Sequence, residues 1–127
     1  MARWGQLRGV GRIPRFNSRP TRCREGLMHH SAMEAARCDE LHLMVTGGLI
    51  RELEAHPQPA FDLVVNGVQI ERYLGDFAYT DTETGRRVVE DVKGYAGDTK
   101  VYQLKRRLML ACHEIDVQEV RHVRGRR

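Results

Sequence analysis

Aromatic residues are scarce, 6% of the chain with one tryptophan, and no run of about eighteen apolar residues occurs, so no membrane-spanning helix is expected. Cysteine is sparse too. Cys23, Cys38 and Cys112 are an odd number without close pairing, which argues against a disulfide framework and favours a reduced, cytosolic setting. The basic N-terminus lacks the apolar centre of a secretory signal. No internal repeat is found. Acid is missing from both ends: residues 1–24 carry seven arginines and residues 121–127 four more, while all seventeen acids lie between Glu25 and Glu119.

What is present fits one domain. A chain of 127 residues can bury about two-thirds of its unfolded surface. The net charge of +4 divides into basic ends and a net-negative middle, a pattern that suits arms tracking a nucleic-acid backbone; a merely solubilising tail reads equally well. Gly5, Gly9, Gly11, Pro14 and Pro20 interrupt the first arginines, so residues 1–24 read as a disordered arm, 25–120 as the folded domain and 121–127 as a basic tail.

Ser31 to Val45 reads as a helix: Ser31 caps it, Glu34 stands three residues on as in a capping box, and Gly47–Gly48 stop it. Its apolar stripe runs through Cys38, Leu41 and Val45 and ends, four residues back, on Glu34. Leu49 to Ala55 fits a strand or a last helical turn. Asn66–Gly67 between valines predicts a tight hairpin, and on its outgoing strand Val68, Ile70 and Leu74 share parity with Asp76, which places an acid on an apolar face. Thr99 or Asp98 caps a second helix, Lys100 to His113, with Val101, Leu104, Leu108, Ala111 and Cys112 as its apolar positions. Ile115 to Val120 alternates as a final strand, parallel to the one before the helix. The expected fold is α/β: helix, a three-stranded meander, helix and strand around a mixed sheet.

The chemistry concentrates between Asp76 and Lys93, DFAYTDTETGRRVVEDVK. DTETG is a polar turn between two β-rich runs, so the stretch reads as an antiparallel hairpin. Asp91 and Lys93 share one face with Val89, whereas Val88, Glu90 and Val92 share the other. An isolated carboxylate on one strand can then approach a carboxylate and a lysine on the next. Metal-assisted phosphodiester hydrolysis needs that group: oxygen ligands for a hard cation and a fixed positive charge beside the attacked phosphate. Strand parity sets Glu90 apart as a solvent-side or salt-bridged residue.

This order, with Glu on the first helix, Asp on a middle strand and Asp-x-Lys on the next, resembles the PD-(D/E)xK nuclease superfamily. From Arg22 to Val120 the chain looks like a family of small phage and prophage endonuclease-like proteins. The matching segments are HSAMEAAR (30–37), LGDFAYTD (74–81), VVEDVKGY (88–95) and VYQLKRRLML (101–110). Gly75 stands where the superfamily's name has proline. The resemblance implies a restriction-endonuclease-like sandwich and a Mg²⁺-dependent deoxyribonuclease, with Mn²⁺ able to substitute. It implies further that Asp76, Asp91, the Val92 carbonyl and Glu34 hold the metal, and that Lys93 acts at the transition state. Tyr102 and Lys105 match the family's helix; with Arg106 they are the residues expected to meet DNA. A role in phage or prophage recombination, junction resolution or genome processing, inside a bacterial cytoplasm, follows from the same likeness. A homodimer is expected if two strands are to be cut.

Three other readings compete. Asp76, Asp91 and Lys93 can form a semi-buried salt bridge without chemistry, or the fold can be a catalytically inactive DNA-binding protein. In the third, Cys38 and His42, four apart on a helix, join Cys23, His29 and His30 upstream in a Cys₂His₂ zinc set. That spacing matches no common zinc signature, and a cysteine on an apolar stripe ordinarily packs as a small hydrophobe.

Overall fold

The computed structural model describes residues 19–93 and 99–121. Its elements in chain order are β1 (Thr21–Arg22), β2 (Met28–His29), α1 (Ala32–Thr46), β3 (Ile50–Glu54), β4 (Ala60–Val65), β5 (Val68–Leu74), β6 (Phe77–Asp81), β7 (Arg87–Val92), α2 (Lys100–His113) and β8 (Gln118–Val120). A mixed four-stranded sheet runs in the order β3-β6-β7-β8, antiparallel except for the parallel pair β7–β8. Two small antiparallel ladders, β1–β2 and β4–β5, stand apart from it. The protein is thus a small α/β domain with two helices.

Local chemistry explains most element ends. Ser31 Oγ accepts the Glu34 N–H at 3.1 Å, and the Glu34 carboxylate reaches back to the His30 N–H, so the first turn of α1 is capped from both directions. At the other end Gly48 takes a positive φ of 78°. Asn66 and Gly67 both have positive φ, as a two-residue hairpin turn requires. In the DTETG turn Asp81 Oδ1 accepts from the Glu83 and Thr84 N–H groups. Thr99 Oγ1 caps α2 through the Tyr102 N–H.

The sheet separates two half-cores. Phe77 and Tyr79 point to α1 and pack with Ala35, Cys38, Leu41 and Ile50, with Val88 and Val92 against them. Ala78 and Val89 point the other way, to Leu63, Tyr73, Tyr102, Met109 and Val117. This alternation is the strand period seen in three dimensions. Burying each large side chain such as Phe77 contributes about 1.5–3 kcal/mol.

Four expectations are corrected. The strands do not form a meander: β4–β5 is an excursion between β3 and β6, and β6 pairs with β3 rather than β5. Val68, Ile70 and Leu74 are exposed, and Tyr73 of the opposite parity is buried against α2, so Asp76 does not continue a buried face but lies at the junction of hairpin and sheet. The inner side of α2 is Tyr102 and Met109; Val101 and Leu104 are exposed. On α1 it is Met44, not Val45, that packs inward. In the last three a neighbouring element decided which of two faces was covered. The expected arm lies mostly outside the described residues, as do the loop 94–98 and the tail beyond Arg121. Its last residues do not, since Thr21–Arg22 form β1 and Cys23 is buried.

Candidate active site

The site forms where β7 ends. Glu90 and Asp91 leave opposite faces of that strand. Glu90 turns toward α1 and is 2% exposed, held by Arg37 Nε and Nη2 at 2.8 and 2.6 Å and by the Tyr79 hydroxyl at 2.5 Å. A bidentate guanidinium and a phenol saturate its oxygens, so Glu90 is a structural anion, the salt-bridged alternative foreseen for it. Arg37 also holds Glu40 at 2.7 Å.

Asp91 turns toward α2. The Tyr73 hydroxyl donates to its Oδ2 at 2.6 Å, and Lys93 Nζ lies 3.4 Å from its Oδ1. The same Nζ sits 3.4 Å above the centroid of the Tyr102 ring. One face of the ammonium is therefore taken by a π-system and another by a carboxylate, which fixes its position.

Asp76 completes the constellation from the β5–β6 junction. Its Oδ2 accepts the Val92 N–H at 2.7 Å, and its Oδ1 accepts from Gln58 Nε2 at 3.1 Å. Burial, with the Glu34 and Asp91 carboxylates nearby, pushes its carboxyl up to about 8. Burial likewise raises Glu34, against the lowering effect of the His30 N–H. Glu34, Asp76, Asp91 and Lys93 therefore share one electrostatic site although they come from a helix, a junction and a strand end.

Gly75 has a physical reason to be glycine. A Cβ there would lie 2.9 Å from Val89 Cγ1, inside the packed half-core under α2. Proline, or any residue with a side chain, displaces Val89.

The residues expected on nucleic acid are placed less uniformly. Tyr102 is buried and donates to Glu119 at 3.0 Å; Arg106 pairs with Glu119 and Asp116 at 3.2 and 3.3 Å. Lys105 is half-buried. Gln58 and Tyr73 are the site residues that sequence reasoning missed. A glutamine between two prolines and a tyrosine in a polar-looking strand carry no signal until β4–β5 folds back over β7.

A second cluster lies on the α1 side. The side chains of Cys23, His29, Cys38 and His56 bring their ligand atoms within 4.8 Å of one another. Among the described residues Glu34, Asp76 and Asp91 do not close to that mutual spacing. His42 and His30 are not in the cluster, although His42 Nδ1 lies 2.9 Å from the Cys38 carbonyl oxygen and 3.5 Å from Cys38 Sγ.

The chain matches no family model, no curated protein and no solved structure. No helix of the described residues is long and apolar enough to cross a membrane.

Proposed function

We propose that this protein is a metal-dependent nuclease of the PD-(D/E)xK type, hydrolysing phosphodiester bonds in DNA with Mg²⁺, or Mn²⁺ in its place. The observation that carries the reading is Asp76: a carboxyl buried beside two other carboxylates, raised to about 8, with a lysine within reach of the same group. Three carboxylates that share one largely buried site repel one another unless protons or a cation offset them. Oxygen-only donors of this kind suit a hard divalent ion.

Asp76 and Asp91 would hold the ion, with the Val92 carbonyl beside them. Mg²⁺ keeps several of its waters, so Glu34 would act through one of them. When bound, the ion supplies an activated water and offsets charge on the attacked phosphate. The chain's own groups do the rest. Val92 N–H and Gln58 orient the Asp76 carboxylate, Tyr73 orients Asp91, and Lys93, held over Tyr102, presents a proton donor and positive charge to the phosphate. Arg106 and Tyr102 support this arrangement through Glu119, which leaves Lys105, of the three residues expected on DNA, to meet a phosphate.

The test is cleavage of labelled duplex, nicked and four-way-junction DNA in Mg²⁺, Mn²⁺ or EDTA, beside Asp91→Ala and Lys93→Ala. Metal-dependent cutting lost in both variants is expected. Salt-sensitive binding without cleavage under any metal would replace this reading with that of a DNA-binding protein.

A further inference from the structure

We infer that Cys23, His29, Cys38 and His56 form a structural zinc site, separate from the carboxylate site and independent of whether the protein cleaves DNA. Two sulfurs and two imidazole nitrogens lie within 4.8 Å of one another. His29 Nε2 and His56 Nε2 are 3.1 Å apart. Zinc bound to sulfur at about 2.3 Å and to nitrogen at about 2.0–2.1 Å in a tetrahedron spaces its ligands by about 3.3–3.8 Å. The cluster therefore needs side-chain contraction, not a change of fold, to take the ion.

The donor set identifies both the metal and its role. Thiolates and imidazoles select zinc over the hard cations that suit carboxylates. Four protein donors leave no open position, which is the hallmark of a structural and not a catalytic zinc. Cys23, His29 and Cys38 are buried and His56 lies at the surface, so a path for the ion exists on one side.

The backbone around the first ligand is already shaped to present it. Gly26 N–H donates to the Cys23 carbonyl at 2.9 Å, and Cys23 N–H donates to the Leu27 carbonyl at 3.0 Å. Gly26 has a φ of +86°, which closes the turn tightly under Cys23. Arg24 N–H donates to Asp39 Oδ1 at 2.7 Å, which ties the turn to α1 one residue past Cys38. Geometry and chain path agree.

The site has a structural task as well. The β1–β2 ladder is two residues long on each strand, and a ladder that short has almost no stability of its own. Zinc would join it to α1 and to the segment before β4. That segment also carries Gln58, two residues past His56, which donates to Asp76. The ion would thus hold in place the segment whose Gln58 orients the Asp76 carboxylate.

The experiment uses the full chain, purified without chelators or metal-affinity resin. Elemental analysis should find one zinc per chain. Replacement by Co²⁺ should give the visible bands of a tetrahedral site and thiolate-to-cobalt charge transfer in the near ultraviolet. His56→Ala removes a surface ligand and spares the core, and Cys23→Ser removes a sulfur; each should weaken zinc by more than about tenfold against a chromophoric chelator, with far-ultraviolet circular dichroism unchanged. Asp91→Ala should leave zinc content unchanged, which separates this site from the carboxylates. Zinc-free protein that shows no cobalt bands would overturn the assignment. So would a Cys23–Cys38 disulfide in the purified chain, or zinc lost in Asp91→Ala but kept in His56→Ala.

Discussion

Glu90 and Asp91 are neighbours in sequence, yet the first is locked to Arg37 and Tyr79 under α1 and the second to Tyr73 and Lys93 under α2. One strand thereby supplies a structural anion to one side of the sheet and a chemical one to the other. Four measurements test this division and its consequences.

Arg37→Met should cost about 3–5 kcal/mol, because it leaves the Glu90 carboxylate buried and uncompensated. Urea unfolding measures the loss. Adding Glu90→Gln removes the stranded charge, so the double variant should be markedly more stable than the sum of the single losses predicts. Strict additivity would mean that the pair is not coupled.

Gly75→Ala should destabilise by about 1–3 kcal/mol, since its Cβ would stand 2.9 Å from Val89 Cγ1. Val89→Ala alone costs stability through the cavity it leaves. Combined, the two should fall short of additivity, because the new methyl enters the space vacated by the old. A Gly75→Ala variant that unfolds at the same urea concentration as the parent would count against the packing described here.

The pH dependence of the metal-free protein has a definite sign. The Asp76 carboxyl moves from 3.8 to about 8 on folding. Between those values the folded chain keeps a proton that the unfolded chain has released, so this group's contribution to stability falls as pH rises from about 4 to about 8. Above that range the cost of a buried carboxylate is fully present. Thermal melts without added Mg²⁺ at about pH 6 and about pH 8 should show a loss of Tm at the higher pH, and Asp76→Asn should shrink it. Mg²⁺ should restore more stability at pH 8 than at pH 6, because the ion takes over from the proton.

Lys93→Ala should reduce cleavage by about a hundredfold or more while leaving Mg²⁺ binding near that of the parent, as removal of a group acting at the transition state does. Tyr102→Leu removes the ring beneath Nζ and should give a smaller loss, within about 2 kcal/mol. Tyr102→Phe keeps the ring, loses only the hydroxyl bond to Glu119, and should stay closer to the parent. Single-turnover rates at saturating metal order the three; a Tyr102→Leu enzyme as fast as Tyr102→Phe would remove the ring from the account.

Sequence alone determined what depends on neighbours along the chain. The caps of α1 and α2, the Asn66–Gly67 turn, the β6–β7 hairpin and the split of Glu90 from Asp91 all follow from short-range hydrogen bonding and the two-residue strand period. Tertiary structure decided what depends on which surface a second element covers. Val101 and Leu104 fit the inner face of α2 by spacing, but Val89 of the sheet and Val117 just before β8 pack with Tyr102 and Met109 instead. Gln58 joined Asp76, and His56 joined Cys23, His29 and Cys38, across separations that no local pattern marks. Local torsional and hydrogen-bonding preferences are written residue by residue. The pairing of distant side chains is settled only when burial of both half-cores fixes how the elements stack.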